Sequence, residues 1–340
     1  MASFGDFLAP VTVEQFRRAH LDRAPLHIAG VPDKFASVMS WDGLNRLLDM
    51  TAIWSSQSLQ LALDCRMIPP ERYCRRGHDR AGRAAWLPQP ALVRALLHQG
   101  ASVLLNDIDT LSPGLRAVAG LLEGALGAKV QINLYCSWRE RQAFPSHFDT
   151  HDVFALQITG EKRWTVYRGR FDQPIAHPSF QSLGQAYHEQ AKGEVLAEVD
   201  LRPGDILYLP RGQYHHALAT GAASVHLAVG ATEPIGIDLL GLLFDDAVAD
   251  PAFRRRLPAA AQTGALTAQI GRLAAQVRDW MASPPFRARL DALMAGFRFR
   301  RGGFPAAPGF RGESAGASPD APRSSPEDAA GGPAPTSARD

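Results

Sequence analysis

Cysteine is scarce in this 340-residue chain: there are three, Cys65, Cys74 and Cys136, odd in number and widely spaced. That excludes a disulfide-stapled secreted scaffold and any zinc-ribbon spacing. It fits a reducing compartment, so a cytoplasmic location is expected. Long apolar runs are missing as well. No stretch approaches the roughly 18 consecutive apolar residues of a membrane span. The opening MASFGDFLAPVTVEQ has no basic segment leading into an apolar one, so neither membrane insertion nor a secretory leader is expected. An excess of charge of one sign is lacking too: 36 Lys and Arg against 34 Asp and Glu leave a net charge of +2. The basic surplus of a nucleic-acid-binding surface is not there, and direct nucleic-acid binding is not expected.

What is present is a hydrophobic content of 46%, normal for a globular protein with a sizeable core. The length suits one large domain or two ordinary ones. Four regions separate by composition. Residues 1–110 mix helical patterns (VEQFRRAHLD, WDGLNRLLDM) with strand-like runs (APLHIAG, ASVLLND), and PGLRAVAGLLEGAL follows as a helix. Residues 111–235 hold short β-favouring runs, VQINLY, VFALQI, RWTVY, ILYL and SVHLAV. Explicit turns separate them at Thr159-Gly160, Pro203-Gly204-Asp205 and Pro210-Arg211-Gly212. Such spacing predicts an antiparallel sandwich or barrel. Residues 236–300 carry Ala- and Leu-rich segments with apolar positions three and four apart, broken at Pro284-Pro285, and read as helices. Residues 301–340 are mostly Gly, Pro, Ala and Ser; they cannot bury enough apolar surface to offset ordering entropy, and a disordered tail is expected.

The chemistry concentrates in PSHFDTHDVF, residues 145–154, where two histidines and two aspartates fall within six residues. On a strand, positions i and i+2 share a face. His147 and Asp149 would then present an imidazole and a carboxylate side by side, as two ligands for one metal. A third is available in RPGDILYLPRGQYHHA, where the Pro210-Arg211-Gly212 turn delivers His215 to the next strand. Two histidines and one carboxylate on one side of an iron make the facial triad of non-haem Fe(II) oxygenases.

HFD at 147–149, VFALQITGEKRW at 153–164 and PGDILYLPRGQYH at 203–215, in that order, resemble the bacterial JmjC/cupin-like Fe(II)- and 2-oxoglutarate-dependent oxygenases, closest to the ribosomal-oxygenase (protein hydroxylase) type. The similarity in arrangement runs roughly from residue 10 to 300 and is most specific between Gln131 and Glu233. The resemblance implies a mainly β fold with α additions, a double-stranded β-helix (cupin or jelly roll), followed by a helical segment that forms a homodimer. It implies His147, Asp149 and His215 as ligands of Fe(II), and Lys162 as the partner of the distal carboxylate of 2-oxoglutarate. A fixed cation suits a dianionic cosubstrate. It also places Asn133 and Tyr135 along the pocket wall. The resembling proteins often carry a hydroxyl residue on the last strand, where Ala228 stands here, with His226 on the same strand. They continue into a winged-helix domain, which the low-complexity composition after residue 300 does not predict. The implied activity is hydroxylation of a side chain of a protein or peptide, a ribosomal protein among the candidates.

Plainer readings stand beside these. His147 and Asp149 could be a structural hydrogen-bonded pair. His151 becomes a ligand if the strand register slips, while His216 should face away. Lys162 could be a solvated hairpin lysine, and Tyr135 and Trp164 core aromatics. The arginine-dense stretch 66–83 reads as a solvated loop, with an acidic-peptide or RNA-particle surface as the alternative. FRFRRGGF at 297–304 is equally open. Two rival functions remain: a metal-dependent cupin acting on a small molecule without 2-oxoglutarate, and a non-catalytic JmjC-like binding protein.

Overall fold

The computed structural model describes residues 2–79, 81–138, 142–299 and 301; the expected disordered tail beyond 301 lies outside the described residues. The strands are β1 (Leu26–Ile28), β2 (Leu59–Leu63), β3 (Arg66–Met67), β4 (Cys74–His78), β5 (Ala84–Pro88), β6 (Ser102–Leu105), β7 (Lys129–Ser137), β8 (Asp152–Thr159), β9 (Lys162–Arg170), β10 (Val195–Leu201), β11 (Ile206–Leu209), β12 (Gln213–Ala219) and β13 (Ser224–Thr232). Eight of them form one antiparallel sheet in the order β1-β11-β8-β13-β7-β6-β2-β3. A three-stranded sheet, β10-β9-β12, completes the double-stranded β-helix, and β4 and β5 make a separate hairpin.

Alternation along the strands decides what each face does. In β7, Val130, Ile132, Leu134 and Cys136 are fully buried in the main core. Asn133 and Tyr135, in the other phase, line a pocket. In β13, Val225, Leu227, Val229 and Ala231 point into the same core, whereas His226, Ala228 and Gly230 line the pocket. The back of the large sheet is covered by aromatic side chains. Phe7 and Phe16, on the N-terminal helices Phe4–Leu8 and Val13–Ala19, meet Phe154 of β8 and Tyr208 of β11, with ring centroids 4.9–5.8 Å apart. Each such buried ring stabilises the fold by roughly 1.5–3 kcal/mol relative to exposure. The helix Pro113–Leu126 packs on the same side; Ser112 caps its first turn and Gly127 ends it at φ +64°.

Three expectations change. His147 and Asp149 do not sit on a regular strand: β8 begins at Asp152, and His147 forms an isolated antiparallel bridge with His215. The segment 66–83 is not a plain loop. It carries β3, a 3-10 turn at Pro70–Arg72 and β4, whose Arg76 guanidinium lies 5.1 Å from the Trp86 ring on β5. Within 297–304, Arg301 is drawn into the fold. It pairs with Asp109 at 2.7 Å and Glu123 at 2.5 Å, while the Phe299 amide donates to Glu123 at 3.0 Å.

Residues 236–299 are helical as expected, over Gly236–Ala249, Pro251–Arg254, Thr263–Met281 and Pro284–Gly296. The break at Pro284 begins a new helix capped by Ser283.

Candidate active site

The pocket lies between the two sheets, and tight turns place its polar groups. The Pro210-Arg211-Gly212 turn is held by Asp152, whose carboxylate accepts from the Arg211 amide at 2.8 Å and from the Tyr208 hydroxyl at 2.5 Å. Gly212, at φ +83°, passes so close to Phe171 that an added Cβ would lie 2.1 Å from its carbonyl oxygen. Its amide donates to the Asp149 carbonyl at 2.9 Å. His147 and His215 then exchange two backbone hydrogen bonds, at 3.0 and 2.9 Å. The two segments are thus zipped together by main chain.

The result is a cluster of one donor atom each from His147, Asp149 and His215, all within 4.8 Å of one another. His215 Nε2 lies 3.5 Å from Asp149 Oδ2. The other ring nitrogen of each histidine is committed: His147 Nδ1–H donates to the Pro145 carbonyl at 2.8 Å and His215 Nδ1–H to the Gln213 carbonyl at 2.9 Å. A carbonyl only accepts, so Nδ1 carries a proton in both rings and Nε2 is the ring atom left for a metal. Burial, with His147 nearby, pushes the His215 imidazole down to about 4, so it is neutral at physiological pH. Burial pushes the Asp149 carboxyl up, but the imidazoles of His215, His147 and His151 outweigh it and hold it below the usual range. Imidazole nitrogens and an ionised carboxylate are the donor set an iron(II) ion takes. His151 lines the pocket but stands outside the cluster. His216 faces away, toward the Tyr167 hydroxyl at 3.0 Å and Ser146 Oγ at 3.4 Å.

Lys162 opens β9 immediately after the 159–161 turn, where Gly160 has φ +65° and an added Cβ would strike the Ala223 carbonyl. Its side chain is 4% exposed, and among the described residues its only hydrogen-bonding neighbour is His226 Nδ1 at 3.4 Å. No carboxylate among the described residues balances it. Burial pushes the ammonium down to about 7. Nearby, the buried Trp164 indole N–H has no partner. A solvated hairpin lysine is ruled out by this burial, and an uncompensated cation beside an unpartnered donor fits a carboxylate ligand. Asn133 and Tyr135 also line the pocket, as expected, and Asn133 Oδ1 accepts from the Asp107 amide at 3.0 Å. Tyr135 stacks on the His226 ring at 4.9 Å, and Ala143, Phe144, Val153, Ala217 and Ala228 complete the wall.

Asp152 and Asp205 were not singled out from the sequence. Asp205 of the Pro-Gly-Asp motif accepts from the Gly30 and Arg202 amides at 2.8 and 3.0 Å and meets His27 Nε2 at 3.1 Å. It ties β1 to the 202–205 turn and touches no ligand position. Only its place beside Pro-Gly hinted at a turn role.

The match to known proteins agrees with this geometry. Residues 115–239 match the JmjC domain family. The chain is 32% identical over 226 residues to ribosomal oxygenase 1 of Gallus gallus, covering 66% of this chain and 35% of that protein. It is 28% identical over 268 residues to ribosomal oxygenase 2 of Bos taurus, covering 75% and 54%. The chain thus spans between about a third and about half of these relatives. Among solved structures, the Escherichia coli ribosomal oxygenase YcfD, in complex with cobalt and 2-oxoglutarate, superimposes with a TM-score of 0.54 at 18% identity, over 84% of this chain and 71% of that one. That likeness establishes the double-stranded β-helix. Residues 115–239 of this chain thus match the JmjC domain on a cupin-type double-stranded β-helix, and the chain is similar to the ribosomal oxygenases.

Proposed function

We propose that this chain is an Fe(II)- and 2-oxoglutarate-dependent oxygenase that hydroxylates a side chain of a protein or peptide. The observation that carries the proposal is the buried, carboxylate-free Lys162 in the same pocket as the His147, Asp149 and His215 donors. A cupin binding only a metal and a neutral small molecule gains nothing from that cation, which costs stability unless an anion joins it.

His147 Nε2, the Asp149 carboxylate and His215 Nε2 would hold the metal. Lys162 would hold the distal carboxylate of 2-oxoglutarate, with Asn133 and Tyr135 along its flank. When bound, iron and 2-oxoglutarate supply the oxidation: dioxygen is consumed, the cosubstrate becomes succinate and CO2, and one oxygen atom enters a substrate C–H bond. The chain contributes fixed imidazole tautomers, a positioned cation and an apolar wall that excludes water from the reacting atoms.

The similarity to ribosomal oxygenases supports a protein substrate, with a ribosomal protein as the first candidate. None of the helices among the described residues is long and apolar enough to cross a membrane; with the cysteine content this favours the cytoplasm. No direct nucleic-acid contact is proposed. The helix Gly236–Ala249 exposes Ile237, Leu240, Phe244 and Val248, with Phe244 68% exposed. These positions form one helical stripe, which supports a two-fold homodimer sealed along it.

The test is anaerobic titration of Mn(II)-loaded protein with 2-oxoglutarate, followed by succinate release with Fe(II) in air. Binding and succinate production are expected. Metal binding without 2-oxoglutarate binding would favour the small-molecule cupin; binding of both without succinate under any condition would favour a non-catalytic binder.

A further inference from the structure

The pocket that holds the donor cluster is small, with a volume of about 100 Å³. At roughly 10–15 Å³ for each water-sized group, it has room for about seven to ten non-hydrogen atoms, the size of 2-oxoglutarate alone. The body of a protein substrate must lie elsewhere. A second cavity of about 640 Å³ adjoins this pocket, within the range of ligand sites. Its lining mixes charges of both signs (Lys129, Arg211, Glu233) with apolar Ile235 and Phe297. That mixture suits a stretch of polypeptide better than one small charged molecule.

The two cavities share one face of the large sheet. Between β7 and β13 the register pairs Tyr135 with His226, Asn133 with Ala228, Gln131 with Gly230 and Lys129 with Thr232. The first two pairs line the small pocket and the last lines the larger cavity. The boundary falls at Gly230, and His151 is the one described residue that lines both sides. Its half-buried ring lies against the bare Cα of Gly230. A Cβ added there would stand 2.6 Å from both Cδ2 and Nε2 of His151, and 3.4 Å from Gln131 Cγ. Any side chain at 230 would drive the ring off β13 and into the space between the sheets. No hydrogen bond among the described residues ties the ring down, so packing alone sets its position.

Building on the function proposed above, we infer that the larger cavity seats the substrate polypeptide, and that His151, resting on Gly230, is the specificity-determining residue across which the modified side chain reaches the small pocket. Gly230 sets the width of that neck by having no side chain, and the imidazole forms its movable wall.

Two reporter thiols test this in a Cys65→Ser chain, whose Cys74 and Cys136 are buried. Ala228→Cys lies on the small-pocket side of the neck and Ala176→Cys in the larger cavity. The probes are methyl and benzyl methanethiosulfonate, read by peptide mass on Mn(II)-loaded protein without cosubstrate. In Ala228→Cys protein, adding Gly230→Ala should slow the benzyl reagent roughly tenfold or more and the methyl reagent less than about threefold. Adding His151→Ala to that chain should restore the benzyl rate. Equal slowing of both reagents, no slowing, or slowing that His151→Ala does not relieve would overturn the route. Should Gly230→Ala fail to fold, His151→Ala and His151→Trp decide: they should respectively speed and slow the benzyl reagent, and unchanged rates refute the neck. The occupant is tested with Ala176→Cys in protein loaded with Mn(II) and 2-oxoglutarate, using total ribosomal protein as the probe. Its thiol should be protected from the benzyl reagent, and absence of protection would overturn the polypeptide assignment. Labelling needs no turnover, so a chain that releases no succinate sinks the functional reading while the rates at Ala228→Cys still decide the route.

Discussion

The buried ammonium makes 2-oxoglutarate binding depend on pH in a direction that the structure fixes. In the free protein Lys162 titrates near 7, because burial disfavours its charge and no carboxylate among the described residues offsets the penalty. A bound carboxylate restores the charge, so the pKa in the complex lies well above 7. Binding therefore raises the pKa. The favourable coupling is complete below about pH 7 and is lost as pH climbs toward the value in the complex. If that value returns to about 9 or above, affinity falls by roughly 25- to 50-fold between pH 7 and 9. Titration of Mn(II)-loaded protein across that range measures it. Calorimetry in buffers of different ionisation enthalpy should report the uptake of most of a proton per ligand at pH 8. Lys162→Ala should bind roughly two orders of magnitude more weakly at pH 7 and lose the slope. Lys162→Arg should retain part of the affinity and also lose the slope, since a guanidinium stays charged throughout. Affinity independent of pH from 7 to 9 in wild type, or the same slope in Lys162→Ala, would refute the reasoning and move the anchor elsewhere, with Arg163 and Arg211 as the next residues to change.

Four further outcomes are expected. His147→Ala, Asp149→Ala and His215→Ala should each lose most bound Fe(II) while staying folded, and His216→Ala should keep it; the reverse result for the two histidines would show that the wrong imidazole was chosen. Truncation after Gly303 should leave melting temperature and 2-oxoglutarate turnover nearly unchanged, whereas Arg301→Ala, which strips a nearly buried cation from Asp109 and Glu123, should destabilise by about 3–5 kcal/mol in chemical denaturation. Phe244→Glu should convert a dimer in light scattering to a monomer with unchanged far-UV circular dichroism; a wild-type monomer at micromolar concentration would end the dimer proposal. Lys162→Met should raise the melting temperature of ligand-free protein, because it replaces an uncompensated buried charge with an apolar chain of similar length, and a lowered one would mean the ammonium has a partner already.

Much of the site is legible in the sequence because its signals are local. The 130–137 stretch alternates strictly, so Asn133 and Tyr135 fall on the pocket side once any core position is known. The glycines at 160 and 212 mark the two turns that deliver Lys162 and His215. What was hidden is held by long-range pairing. The hairpin of β4 and β5 contains CRRGH, whose period-2 signal is swamped by arginine and glycine. β10 runs along an edge and is largely exposed, so its VLAEVDL run has no apolar face to announce it. Asp149 and Asp152 lie three residues apart and look alike as letters. One faces the histidines, and the other is consumed by the Arg211 amide and the Tyr208 hydroxyl. Only the fold tells them apart.

That division between two aspartates explains how a segment without regular strand structure keeps the His147 and Asp149 donors beside His215. An irregular segment alone would spend part of its binding energy on ordering. Here the ordering comes from elsewhere. The bridge between His147 and His215, the Gly212 amide on the Asp149 carbonyl and the Asp152 carboxylate on the turn supply it. The Nδ1 protons are already parked on the Pro145 and Gln213 carbonyls. What the site lacks is charge balance. One carboxylate faces a pair of imidazoles at one end of the pocket, and one ammonium without a carboxylate partner among the described residues stands at the other. A divalent cation satisfies the first end and a dicarboxylate the second, and the apolar wall between them strengthens both interactions by keeping water out. Main-chain contacts fix the donor geometry, so the binding energy of a cation and of a dicarboxylate would go into neutralising charge rather than into building the site.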